Sequence, residues 1–483
     1  MLKVPHMSRI MPRTMSEPNA PTELEQANTP DPAAGDTSGF AGHPRGLAPL
    51  FFTELWERFS YYGMRSILVL YMKEAVTGGG LGFSTEHAAY IYGNYTSAVY
   101  LLALPGGLIA DHLLGARGAV LIGGIIIACG HFTMVCDSLT TFYLGMALIA
   151  TGTGLLKPNI SAMVGGLYRE NDPRRDSGFS IFYMGINIGA VMAPLVCGTL
   201  AQGEGFKHFL TSMGFDPHAG WHWGFGAAGV GMTLGLVVFL LNSGRLAGVG
   251  QRVKQRTTAK QEAVAAPPLT SGDWKRIAAI FIFFLFTILF WAAYEQKGAS
   301  LNLFAKELVR TEVFGWKFPS SYLQSLTPLF VIMLAPIVSY LWVRLRDRQP
   351  SSPVKFTLGL LFIGAAYLLM VPASLMIVSG KISPFWLVGL YFLEVCGEMC
   401  LSPVGLSTVT KLAPIKLVGI MMGVWFLAAA FGNKLAGYLS GFYVADSWTL
   451  VKLYGGIAVG LLVSAAILAL LTPSVKRLMG KVN

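Results

Sequence analysis

Charge is what this sequence has least of: Asp, Glu, Lys and Arg supply 13% of its 483 residues, against about a quarter in soluble domains. Hydrophobic residues supply 53%. That balance excludes an ordinary soluble protein and fits a chain that crosses a bilayer many times. Cysteine is scarce as well. The five present, Cys129, Cys136, Cys197, Cys396 and Cys400, are odd in number and sit mostly within or at the ends of apolar segments. They read as small buried side chains, not as a disulfide framework. The eight histidines fall mostly in the first residues, loops and helix ends. Without a metal-spaced His and Cys cluster, a Ser-His-Asp arrangement or a phosphate-binding loop, neither an enzyme nor a metal or organic cofactor is expected.

What is present is a recurring apolar run of about 20 residues, the length a hydrocarbon core roughly 30 Å thick requires of a helix. Such runs predict helices at 48–73, 87–111, 117–136, 139–164, 177–200 and 221–242, and again at 274–296, 319–345, 354–378, 384–410, 417–442 and 450–472. The expected architecture is an all-α membrane protein of about twelve spans in two bundles, 47–242 and 274–472. Residues 1–46 are rich in Pro, Ala, Thr, Asp and Glu and predict a disordered tail. Their basic start lacks the apolar core and cleavage site of a secretory signal. Residues 243–273 are polar, basic and interrupted by Ala-Ala-Pro-Pro, which predicts a linker, and 473–483 predict a second tail.

The net charge of +11 sits in alternate loops. Arg117, then Arg169, Arg174 and Arg175, then Arg245 to Arg276 lie on one side of the predicted spans. Arg344, Arg346, Arg348 and Lys355, then Lys411 and Lys416, then Lys476, Arg477 and Lys481 follow on that same side. The positive-inside rule therefore predicts cytoplasmic termini in a multi-pass inner-membrane protein, and no nucleic-acid partner is needed to explain the charge.

Gly152 and Pro158 in the fourth predicted helix echo Gly397 and Pro403 in the tenth, at the same spacing. Two related six-helix lobes form the architecture of the major facilitator superfamily. The stretch Gly106-Gly107-Leu108-Ile109-Ala110-Asp111-His112-Leu113-Leu114-Gly115-Ala116-Arg117 resembles that superfamily's loop signature.

Several charges lie inside the apolar runs, where each costs about 2.5–3.5 kcal/mol and needs an interior partner. Glu54, Arg58, Tyr61, Tyr62 and Arg65 share one stripe of the first helix. Glu57 adjoins it. Basic groups in the first lobe (Arg58, Arg65, Lys157) face acidic groups in the second (Glu295, Glu394, Glu398), a division that helix packing alone does not require. A cavity between a cationic and an anionic lobe suits a zwitterion such as a short peptide. A buried carboxylate beside a base also changes its proton affinity when that base is drawn away, which provides a coupling mechanism.

Glu54-Leu55-Trp56-Glu57-Arg58-Phe59-Ser60-Tyr61-Tyr62-Gly63 matches the ExxERFxYYG signature of the proton-dependent oligopeptide transporters. Phe182-Tyr183-Met184-Gly185-Ile186-Asn187-Ile188-Gly189 matches the same family's FYxxINxG element, and the stretches around Lys157 and Glu398 resemble its fourth and tenth helices. The resemblance implies import of di- and tripeptides driven by protons. It implies that Arg58 and Lys157 receive the peptide carboxylate, Glu398 its amine and Asn187 its backbone. Tyr61, Tyr62, Tyr100 and Trp425 would line side-chain pockets, while Glu54, Glu57 and Glu295 would take part in proton coupling. Arg65 with Glu295, and Lys157 with Glu398, would bridge the lobes at the two gates. The family commonly has Asn where this chain has Thr327, which leaves Gln324 to take over that contact. Ala190 stands where the family often has Ser, and the linker is too short for the two extra helices of many bacterial members. The expected partners are the peptide and the lipid bilayer, with the monomer as the working unit. A same-fold carrier of nitrate or amino acids is the alternative, and nitrate offers no ammonium to Glu398. A peptide-sensing receptor without transport also stays open at this stage.

Overall fold

The computed structural model describes residues 36–169, 172–246, 248–251, 269–414 and 417–480, most of them helical. Helix is what a bilayer imposes on apolar segments, because every backbone N–H and C=O must be paired within the segment. The long helices are α1 (Leu47–Lys73), α2 (Thr85–Leu101, continued by Ala103–Ile109 and a π-helical turn, Ala110–Leu114), α3 (Gly115–Thr133), α4 (Leu139–Gly166), α5 (Arg175–Gln202) and α6 (Gly220–Leu241). The second set is α7 (Ser271–Tyr294), α8 (Leu326–Leu345), α9 (Ser352–Met376), α10 (Phe385–Leu412), α11 (Val418–Ser440) and α12 (Ser447–Met479).

Ten continuous stretches among the described residues are long and apolar enough to cross a membrane. One of them, Thr85–Thr133, has 49 residues. As one helix it would be about 74 Å long, more than twice the hydrocarbon core, so it must cross twice. It divides at Gly115, whose φ of 71° suits glycine. The helix α1 falls outside that set only because Glu54, Glu57, Arg58 and Arg65 interrupt its apolar character. Adding these two gives the twelve expected crossings, an even number, so α1 begins and α12 ends on the same side.

The packing repeats with a shift of six helices. In the first lobe α1 packs on α5 and α6, and α3 on α4 and α6; in the second, α7 packs on α11 and α12, and α9 on α10 and α12. The lobes meet where α2 contacts α11 and where α5 contacts α8, pairs that exchange under the same shift. Pro158 and Pro403 sit inside α4 and α10 at nearly the same register, so the Gly–Pro echo belongs to this repeat.

At the α2–α11 crossing no side chain fits. A Cβ on Gly437 would stand 2.6 Å from the Gly93 Cα, so these glycines let the backbones touch. Gly437→Ala is expected to cost about 1–3 kcal/mol through overpacking. Its thermal midpoint in detergent should fall by several degrees, and an unchanged midpoint would show that the crossing has slack.

Three local expectations change. Residues 36–46, expected to be disordered, pack onto the body. Arg174 Nη1 donates to the carbonyls of Asp36 (3.1 Å) and Gly42 (2.9 Å), and buried His43 Nδ1 lies 2.9 Å from the Tyr168 hydroxyl. Hydrogen bonds from the Ser38 side chain and the Arg45 backbone hold the Asp36 carboxyl down at about 2. Polar capping replaces the apolar burial that this composition lacks. Residues 1–35 of the expected tail and 252–268 of the expected linker lie outside the described residues. The last helix does not stop at 472: Pro473 lies inside α12, and Val475 and Met479 are buried beyond it. Finally, α7 passes through a 3-10 turn, Glu295–Gly298, into a second short helix, Ser300–Leu308, where the sequence predicted a single span.

Candidate functional site

The charged stripe of α1 is buried: Glu54, Glu57, Arg58 and Arg65 are at most 4% exposed. Arg58 Nε lies 3.1 Å from Glu54 Oε1 and also pairs with Glu57, one turn and one residue back. Its guanidinium sits 5.4 Å from the centre of the Tyr61 ring. One cation thus serves two carboxylates, and Glu54 Oε2 and both Glu57 oxygens are buried without a hydrogen-bond partner. Tyr61 and Tyr62 stand edge to face at 5.2 Å and both flank Arg65, each ring 6.0 Å from its guanidinium.

Arg65 crosses between the lobes. It pairs with Glu295 in the turn after α7, and its Nε donates to the Tyr92 hydroxyl of α2. Farther along the same seam, Lys73 Nζ lies 2.8 Å from Glu307 and Lys306 pairs with Glu74, a reciprocal exchange of charge between adjacent Lys-Glu pairs. Asn302 and Gln324 both donate to the Ser66 carbonyl, at 2.8 Å and 3.1 Å. Ser325 Oγ donates to the Val191 carbonyl at 2.7 Å. All these bonds lie toward the end of α1 away from the chain termini. At that end the lobes are closed on each other.

Toward the other end the expected bridge between Lys157 and Glu398 is absent from the described ion pairs. Lys157 Nζ sits 4.0 Å from the centre of the Tyr100 ring instead, and Glu398 accepts from the Tyr294 hydroxyl. Residues of the two lobes nevertheless lie within range of one another. Tyr62 is within electrostatic range of Tyr100, Arg58, Arg65 and Glu398, and Tyr183 is within range of Glu398 and Tyr62. Lys157 likewise acts on Glu54 and Tyr100.

Three expected residues are otherwise engaged. The Gln324 amide donates to the seam in this conformation, and the Thr327 hydroxyl is buried without a partner. Trp425 packs against Gly405 and edge-on to Phe356 at 6.1 Å, which is core packing in this conformation. Asn187 donates to the Tyr183 carbonyl one turn back, 2.9 Å away. The sequence reading missed Tyr92, Tyr294, Lys297 and Asn302. Lys297 was visible as a charge two residues past Glu295, but at the end of an apolar run it reads as a loop residue.

The family model described as the POT family matches residues 117–266 and 253–454. The uncharacterised transporter YclF of Bacillus subtilis is 39% identical, over 91% of this chain and 96% of its own length. A di-/tripeptide transporter of Lactococcus lactis subsp. cremoris is 36% identical, over 92% of this chain and 98% of its own. The crystal structure of a peptide transporter POT mutant in complex with alafosfalin superimposes with a TM-score of 0.82 at 38% identity, covering 92% of this chain and 98% of that one.

Proposed function

The chain belongs to the POT family, and from that premise we propose that it is a proton-coupled symporter importing di- and tripeptides by alternating access. The observation that carries this reading is that Arg58 and Lys157 of the first lobe share Tyr100 as a neighbour, while Arg58 and Glu398 of the second lobe share Tyr62. A dipeptide brings one carboxylate and one ammonium, and these residues offer a partner to each. Arg58 and Lys157 receive the carboxylate, Glu398 the amine and Asn187 the backbone, with Tyr61, Tyr62 and Tyr100 around the side chains. Trp425 reaches a side-chain pocket only after leaving Gly405 and Phe356. Lys157 is suited to its role because no carboxylate of the chain holds it at ion-pair distance among the described residues.

Both termini are assigned to the cytoplasm on the positive charge of alternate loops, in the plasma membrane. The closed end then faces outward. The coupling proton moves onto Glu54 or Glu57 beside Arg58 and onto Glu295. Protonating Glu295 removes the charge that holds Arg65, and the outer seam loses its buried ion pair. The residues assigned to the substrate all come from one chain, so a monomer is proposed as the working unit.

Uptake of labelled Ala-Ala into proteoliposomes tests the reading. Accumulation against the peptide gradient is expected only with an inward-acid gradient. Accumulation that ignores the imposed gradient, or none at all, would overturn it.

A further inference from the structure

The acidic lobe contains a cation that the mechanism above leaves unused. Lys297 is 9% exposed, and its Nζ lies 3.3 Å from the centre of the Tyr294 ring. The hydroxyl of that ring donates to Glu398, the carboxylate assigned to the substrate amine. One turn earlier on α10, Glu394 is fully buried and neither of its oxygens has a hydrogen-bond partner. Lys297 acts electrostatically on both carboxylates, yet among the described residues none closes on it to ion-pair distance.

The turn that carries Lys297 is fixed on both sides. Gln296 donates to the carbonyls of Ala292 (3.2 Å) and Ala436 (3.1 Å) and accepts from the hydroxyls of Ser300 (2.6 Å) and Ser440 (2.7 Å). A Cβ on Gly298 would overlap the Tyr92 hydroxyl, so Tyr92 rests directly on the backbone there. Glu295 is spoken for by Arg65. Lys297 is therefore a preset charge beside the Tyr294 ring, within range of Glu394 and Glu398 of its own lobe and of Arg65 and Tyr100 of the other. Counted as ionised groups, Lys297, Glu394 and Glu398 sum to minus one, the complement of one ammonium.

We propose that Lys297 is a specificity-determining residue, a resident cation that offsets one of the two acids so that the amine subsite accepts a single positive charge and disfavours peptides whose first residue carries a second. The inference rests on the peptide reading above. A Lys-initiated dipeptide presents two ammonium groups to a subsite matched to one. Removing Lys297 raises the formal charge to minus two, which suits such a substrate.

The test is competition in proteoliposomes under an inward-acid gradient. Labelled Ala-Ala is the substrate, unlabelled Ala-Ala and Lys-Ala are the competitors, and the ratio of their half-inhibitory concentrations is read. Lys297→Gln is expected to shift that ratio about tenfold toward Lys-Ala, as one unit charge does across a partly solvated distance of several ångströms. Lys297→Arg should keep the wild-type ratio, and Lys297→Gln combined with Glu394→Gln should restore it. Should Lys297→Gln fail to insert, Glu394→Gln alone reads the same quantity with opposite sign, moving the ratio away from Lys-Ala. A wild-type ratio in Lys297→Gln, or in Glu394→Gln where that variant is the one read, would overturn the inference while leaving the peptide reading intact. A wild type that does not take up Ala-Ala would overturn the peptide reading and this inference with it.

Discussion

Lys157→Ala and Glu398→Ala should each reduce gradient-driven uptake of a labelled dipeptide to the level of empty vesicles while the protein still inserts. The size of the loss follows from burial. Truncating one partner of a desolvated, hydrogen-bonded charge pair costs about 2–5 kcal/mol, or roughly 30-fold to several thousandfold in affinity. In Glu398→Ala the substrate ammonium would enter a buried space with Lys297 close by and only Glu394 to answer it. In Lys157→Ala the carboxylate would depend on Arg58, which already serves Glu54 and Glu57. Among the described residues neither makes an inter-lobe ion pair in this conformation, so the loss is one of recognition and not of folding. Size-exclusion profiles should match the wild type. Full concentrative uptake by either variant would remove that residue from the substrate site.

The second large effect is a separation of two assays. Glu295→Gln keeps the shape of the protonated side chain but permanently removes the charge facing Arg65. Breaking a buried pair costs about 3–5 kcal/mol when the partner stays charged and enclosed. Arg65 keeps the Tyr92 hydroxyl and three aromatic rings near it, so part of that cost is offset. The flanking pairs, Lys73 with Glu307 and Lys306 with Glu74, are about a third exposed or less and hold the outer seam less firmly. The outer end should then open without waiting for a proton. Peptide exchange between loaded and external pools should continue at a comparable rate, while accumulation driven by the proton gradient should fall at least about tenfold. Equal losses in the two assays would mean that Glu295 only braces the seam.

Lys297 and Gln324 show what sequence position leaves out. Gln324 is expected at the substrate from its place three residues before Thr327, and in this conformation its amide ties α1 to the turn before α8. Lys297 stands at the end of an apolar run, where a lysine ordinarily reaches water, and here the 3-10 turn Glu295–Gly298 keeps it buried. In each case sequence distance was a poor guide to direction. A helix rotated by one residue moves a side chain by about 100°, and composition carries no record of that rotation.

What could be read directly was what physics imposes one segment at a time. The bilayer demands about 20 apolar residues per crossing, so the spans from α1 to α12 are written in local composition. Glu54, Arg58, Tyr61, Tyr62 and Arg65 fall on one face because a helix repeats every 3.6 residues, and the structure buries that face. The partners were another matter. That Arg65 meets Glu295, that Lys157 lies over Tyr100 and not against Glu398, and that Tyr294 stands between Lys297 and Glu398 depend on how the two lobes are rotated against each other. Those contacts join residues far apart in the chain, and only the packing of all the helices together decides them.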